Sequence, residues 1–254
     1  MPKTSRSNEP PPRRSARERS ATFRAAQRRA ERRRRAIISL VAVAVVAAAA
    51  GGIAAAVRSG SGHGPAQGST DAATAVLTGP PGPEGIVLEE GQLLAPASTA
   101  ADGQTIQGIQ CDANEQVAYH IHSHLTVYVN GSLRPLPAGI GIVTPVAEQT
   151  PSGVFDTASR CYYWLHVHAQ DGVIHVESPT TKDYTLGQFF AIWQQPLSTG
   201  QVGPAKGPLT VFVNGVRYGG NPASIVLTSR EDIQIDVGTP AVPAKRVDWS
   251  TSEL

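Results

Sequence analysis

The chain has 254 residues, with 22 Lys or Arg against 20 Asp or Glu and a formal net charge of +2. Residues 1–35 hold thirteen of the basic residues and three of the acidic ones, so everything beyond them carries a net charge of −8. An acidic remainder does not favour nucleic-acid binding, and a net near zero averaged over two unlike parts says little by itself.

Residues 1–35 lack Leu, Ile and Val and end in Glu31-Arg32-Arg33-Arg34-Arg35. They read as a basic, disordered cytoplasmic tail. Residues 36–57 carry no charge. At 1.5 Å per residue they make roughly 33 Å of helix, enough for a bilayer core of about 30 Å. The arginines at the N-terminal end place that end in the cytoplasm and the rest of the chain outside. The expectation is a single-pass anchor contacting the lipid bilayer through residues 36–57. The alternative is a cleaved signal peptide and a secreted product, although the basic region and the apolar run are both long for one. Residues 58–85, rich in Gly, Pro, Ser, Ala and Thr, read as a linker. An extracytoplasmic β-rich domain is expected over 86–239, with a possible subdivision near 200, and a flexible tail over 240–254.

The domain reads as mainly β, an antiparallel sandwich or barrel-like fold with one short helix. Strands are expected over 116–129 before Asn130-Gly131, over 140–143, over 161–169 and 173–177 around Gln170-Asp171-Gly172, over 209–213 before Asn214-Gly215, and over 225–227 and 233–237. Leu186, Phe189, Phe190 and Trp193 fall at helical spacing, with Thr185 or Asp183 as cap and Pro196 as stop. Leu125-Thr126-Val127-Tyr128-Val129-Asn130-Gly131 recurs as Leu209-Thr210-Val211-Phe212-Val213-Asn214-Gly215. The echo reads as two related β-subdomains or as convergence on one good strand-turn sequence.

Six of the seven histidines lie in two tracts, His120/His122/His124 and His166/His168 followed by His175. The period of two puts each tract on one strand face. With Asp171-Gly172 as a two-residue hairpin loop, His168 faces His175 and His166 faces Glu177, their Cβ atoms about 5 Å apart. Trp164 falls on the same side, as a candidate wall. His166, His168 and His175 are then a candidate metal triad. Glu177 is a fourth ligand, an acceptor orienting a ligand, or a candidate catalytic base on bound water. Three imidazoles about 6.5–7 Å apart along a strand cannot all meet one ion without a bend. One or two of His120, His122 and His124 meet the hairpin patch if their strand lies beside it, giving one four- to five-ligand site or two adjacent sites. The alternative is a metal-free histidine cluster, or a surface that changes charge near neutral pH.

Cys111 and Cys161 are the only cysteines, and in an oxidising compartment they are expected to form a disulfide. It would close a fifty-residue loop and contribute roughly 4 kcal/mol in the chain-entropy picture. Thiolate ligation of a metal is the alternative. Met1 is the only methionine. Scarce sulfur ligands favour zinc or copper(II) held by nitrogen. No phosphate-binding Gly-rich loop, nucleophile elbow, His-Glu-x-x-His, calcium loop or CxxCH appears.

Tyr119-His120-Ile121-His122-Ser123-His124-Leu125, Leu165-His166-Val167-His168, Gly172-Val173-Ile174-His175-Val176-Glu177-Ser178-Pro179 and Thr185-Leu186-Gly187-Gln188-Phe189-Phe190 resemble a family of bacterial and archaeal exported or membrane-anchored proteins. The resemblance covers roughly residues 105–237 and implies no particular activity. In ligand geometry alone, the paired His-x-His hairpin is similar to the metal sites of cupins and α-type carbonic anhydrases. Three functions fit the sequence: a tethered extracytoplasmic metal-binding protein handling copper or zinc, a His₃-type metalloenzyme with Glu177 as base, and a metal-free structural or interaction domain whose protein partners the sequence does not name.

Overall fold

The computed structural model describes residues 75–252 and Leu254. The expected cytoplasmic tail, the apolar span 36–57 and linker residues 58–74 lie outside the described residues. No helix among the described residues is long and apolar enough to cross a membrane.

The strands, in chain order, are β1 (Ala75–Val76), β2 (Cys111–Asp112), β3 (Tyr119–Val129), β4 (Ser132–Leu133), β5 (Ile142–Thr150), β6 (Gly153–Tyr163), β7 (Leu165–His166) and β8 (Val173–Ser178). After the helix α1 (Leu186–Trp193) come β9 (Leu197–Ser198), β10 (Gln201–Val202), β11 (Ala205–Lys206), β12 (Leu209–Val213), β13 (Val216–Tyr218), β14 (Glu231–Val237) and β15 (Lys245–Arg246). The described part is mainly β with one α-helix. Among the described residues no sheet closes on itself, so they form no barrel.

The largest sheet has the order β13-β12-β14-β3-β8-β7, with β4 paired to β3. β3 runs antiparallel to β8 and parallel to β14. The two echoed segments are strands of this one sheet, on either side of β14. The sheet therefore runs across the expected subdivision near residue 200. Both copies turn as their sequence demands. Asn130 and Gly131 have φ of 50° and 77°, and Asn214 and Gly215 have φ of 51° and 80°. A type I′ turn needs positive φ at both central residues.

One face of the sheet is apolar. Leu125, Val127, Leu165, Ile174, Val176, Ile233 and Ile235 are buried there with Leu186, Phe189, Phe190 and Trp193 of α1. Fully burying each large apolar side chain contributes about 1.5–3 kcal/mol. The helix begins in a capping box: Thr185 Oγ1 accepts from the Gln188 N–H, and Gln188 Oε1 accepts from the Thr185 N–H. Gln194, in the left-handed region, ends it two residues before Pro196.

Other segments depart from the sequence reading. Residues 225–227, expected as a strand, make only an isolated bridge between Val226 and Thr185. A long hairpin, β5–β6, occupies 142–163, where only short runs at its ends were expected. Its middle is largely exposed and mixes polar residues with Val146, Val154 and Phe155, so no clean hydrophobic alternation marks it.

The end of the expected linker and the expected tail are held. β1 pairs in parallel with β15. Ile86, Val173 and Val247 bury one another, with Leu77, Trp249 and Leu254 packed around them. The tail is fixed by polar side chains of β14. Asp236 accepts from the Val242 N–H, Gln234 Oε1 from the Lys245 N–H, and Asp232 from the Val247 N–H. These side chains stand in for a backbone partner and satisfy donors that would otherwise be buried unpaired.

Candidate metal centre

The second face of the sheet carries the histidines. β8 lies between β3 and β7, and the register sets the site. Across β3 and β8, His120 pairs with Glu177 and His122 with His175. Across β7 and β8, His166 pairs with His175. His122, His175 and His166 thus form one row across three strands.

This register corrects the hairpin expectation. His166, not His168, lies opposite His175. A shift of two residues leaves every side chain on its expected face, whereas a shift of one would have scattered them. The turn is wider than two residues because β7 leaves β8 after His166. The Val167 N–H donates to Ile140 O, Val167 O accepts from the Gly139 N–H, and His168 O accepts from the Asp156 N–H. Asp171 Oδ1 accepts from the Val173 N–H, which starts the return strand.

Two overlapping groups could hold a metal ion. One is His120, His122, His175 and Glu177; the other is His166, His168 and His175. A third combines Glu115, His166 and Glu177. Within each, the donor atoms lie within 4.8 Å of one another. His124 joins none of them. It shares the face, but lies one further side-chain repeat from His122, about 6.5–7 Å along the strand. Its Nε2 is 3.7 Å from Glu89 Oε1 and its Nδ1 is 3.4 Å from Thr126 Oγ1.

The imidazoles are aimed by groups behind them. His166 Nδ1 is 2.8 Å from Tyr163 O and His168 Nδ1 is 2.6 Å from Asp156 O. A carbonyl only accepts, so each Nδ1 carries the hydrogen and each Nε2 presents its lone pair. Those two Nε2 atoms face each other at 2.9 Å. His120 Nε2 and His122 Nε2 also meet at 2.9 Å. His175 Nε2 lies 2.8 Å from Glu84 Oε1, an ion-pair approach off the line of a directed hydrogen bond. Glu177 Oε1 is 2.9 Å from His120 Nε2 and 3.5 Å from His175 Nδ1. Glu177 Oε2 is buried without a hydrogen-bond partner.

Burial is the largest influence on the charge of these groups. It pushes His166 down to about 4 and His168 and His122 well below their ordinary value, with neighbouring imidazoles adding to the effect in His122 and His168. Burial would lower His175 too, but the Glu84 and Glu177 carboxylates outweigh it and hold His175 well above its ordinary value. Burial would raise Glu177, but His120 and His175 outweigh it and keep Glu177 ionised. Beside the site, burial lifts Glu89 to about 8, and burial with the Glu84 charge lifts Asp171.

The site is walled by aromatic rings from the β5–β6 hairpin. Phe155 stacks on His168 with centroids 4.3 Å apart, and Tyr162 tilts over His166 and His168. Trp164 was the expected wall. Its ring instead meets Tyr184 edge-on, and its Nε1–H donates to Asp112. A disulfide joins Cys111 to Cys161, which excludes both as thiolate ligands. It fastens β2 to β6, with Tyr162 next to one cysteine and Glu115 four residues after the other. His120 is the open edge, with a side chain 24% exposed, against 3% for Glu177.

Sequence reasoning missed Glu84, Glu89, Glu115, Phe155 and Tyr162. The two acids of Glu84-Gly85-Ile86-Val87-Leu88-Glu89 bracket the first apolar run after the Gly/Pro-rich stretch, and that was the available signal. No family model, no curated protein and no solved structure matches the chain.

Proposed function

We propose that this domain binds transition-metal ions through its imidazole face and serves a metal-handling role outside the cytoplasm, tethered to the membrane by residues 36–57. The observation that carries the reading is the His166–His168 contact. Two neutral imidazoles turn their lone pairs toward each other at 2.9 Å, each held by a carbonyl behind it. Burial keeps both from taking up a proton near neutral pH. Facing lone pairs repel unless a cation lies between them. A ligand nitrogen whose ring partner is anchored to a carbonyl or carboxylate is the usual arrangement around a bound metal. The donors are nitrogen and carboxylate oxygen, which suits zinc or copper(II) better than copper(I).

A second reading is a metalloenzyme. The partial exposure of His120 favours it, because an ion there has one side open to solvent or substrate. Glu177 would be a ligand rather than a base in that case, since His120 and His175 hold its carboxyl well below the usual carboxylate range, which makes it a weak base.

The test is metal content by mass spectrometry on protein purified from its native membrane, with thermal melting before and after chelation. Bound zinc or copper and a melting temperature lowered by chelation are expected. Metal-free protein whose melting ignores added zinc and copper would falsify the proposal.

A further inference from the structure

The donors are more numerous than one ion needs, and they are divided. β3 carries His120 and His122; β7 carries His166, and His168 follows two residues on, past its end. These strands are not neighbours: β8 separates them, so their backbones stand about 9–10 Å apart. Within each pair the two Nε2 atoms meet at 2.9 Å. Ligands of one zinc or copper ion, bound at about 2.0–2.1 Å, lie within about 4.2 Å of each other. Among the described residues, no set of mutually close donors contains both pairs. What links the β3 pair to the other donors lies on β8. His175 belongs with His120 and His122, and also with His166 and His168. Glu177 belongs with His120 and His122, and also with His166 and Glu115.

We propose that the imidazole face holds two transition-metal ions side by side, one on His120 and His122 and one on His166 and His168, with Glu177 bridging them. This rests on the metal-binding reading above and deepens it. Glu177 has an oxygen for each ion: Oε1 already lies 2.9 Å from His120 Nε2, and Oε2 is buried without a hydrogen-bond partner. His175 stands between the pairs, its ring 4.5 Å from that of His122 and 4.6 Å from that of His168. Glu115, 3.5 Å from His168 Nε2, completes the second ion's ligands. Carboxylate-bridged ions sit about 3.5–4 Å apart, and the two then act as one clamp on an oxygen ligand. The ion on His120 and His122 is the accessible one, and the ion on His166 and His168 is the enclosed one.

The experiment is a titration of the full chain in detergent with Cu²⁺, followed by metal content and electron paramagnetic resonance. Two equivalents should bind, and the two-copper form should show spin coupling between the ions. The double variant His120→Ala with His122→Ala should keep one equivalent and show an uncoupled, full-intensity signal. The variant Glu177→Gln should keep metal but lose the coupling. The wild-type measurement stands even if a variant fails to fold, which melting curves will reveal. One equivalent in the wild type overturns the two-ion site and leaves metal binding intact. Two equivalents without coupling overturn the bridge and place the ions apart. No bound copper, repeated with Zn²⁺, overturns the metal-binding reading itself.

Discussion

Glu84 Oε1 lies 2.8 Å from Nε2 of His175, and both side chains are almost wholly buried. The acid comes from a segment whose composition marks it as linker. Its carboxylate faces the side of the ring opposite the Nδ1 atom that approaches Glu177. A carboxylate so close favours a proton on Nε2 electrostatically and raises the basicity of a ligand histidine. Replacing Glu84 by Gln should therefore weaken metal affinity about 10–100-fold while leaving the fold in place. Competition against a chelating dye measures this. Unchanged affinity would show that the ion pair orients nothing.

The histidine face was legible because it needs only the strand period and the Asp171-Gly172 turn. His166 and His175 were placed on one face correctly even though the register was two residues out. The error lay in the turn, where Val167 and His168 bond to Gly139, Ile140 and Asp156 rather than to β8. Such partners are distant in sequence and leave no local signal. The order β3-β8-β7, which unites the two tracts, was open for the same reason. Phe155 and Tyr162 come from a hairpin whose middle is largely exposed and has no clean hydrophobic alternation, and Glu84 from a stretch rich in Gly and Pro. Their roles are set by tertiary contact alone.

The metal-free protein should lose stability as pH falls from about 6.5 toward about 4. His124 and His166 are each moved down from 6.5 to about 4, mainly by burial. Between those values the unfolded chain binds more protons than the folded one, so acid favours unfolding by on the order of 3 kcal/mol per group. Glu89 acts in the opposite sense. Its folded value of about 8 lies above its ordinary 4.5, so its contribution is full below 4.5 and is lost as pH rises through about 8. His175, raised by its carboxylates, adds to that fall on the alkaline side of 6.5. Replacing Glu89 by Gln removes the Glu89 part, so the variant should gain stability on the parent from about pH 5 to about pH 8. Melting curves of both chelated proteins across that range decide it. Parallel curves would mean that Glu89 is ionised in the fold.

The disulfide should support both the fold and the site. Replacing Cys111 and Cys161 by Ser opens a fifty-residue loop and should cost about 4 kcal/mol. It also unfastens β2 from β6, the strands closest in sequence to Glu115 and Tyr162. Urea unfolding should show a lower midpoint, and metal should bind more weakly. An unchanged midpoint would indicate that the strand pairing of β2 with β6 already supplies the constraint.

Gly141 separates backbone strain from site geometry. Its φ is +72°, and a Cβ there would clash with Leu165 O and lie 3.0 Å from the Cβ of His166. Neither neighbour is the end of a flexible side chain, so β7 itself must move. Gly141→Ala should cost about 2–4 kcal/mol, combining the left-handed backbone penalty with overpacking. It should also displace His166 from His175 and weaken metal binding. Gly108 is the control, since it has φ +80° and nothing within 4 Å of an added Cβ. Gly108→Ala should cost only the backbone part, about 1–2 kcal/mol, and leave metal binding as it was. Melting and Zn²⁺ titration of the two variants side by side test the contrast. Equal metal affinity in both would mean that β7 does not need its present position to present His166.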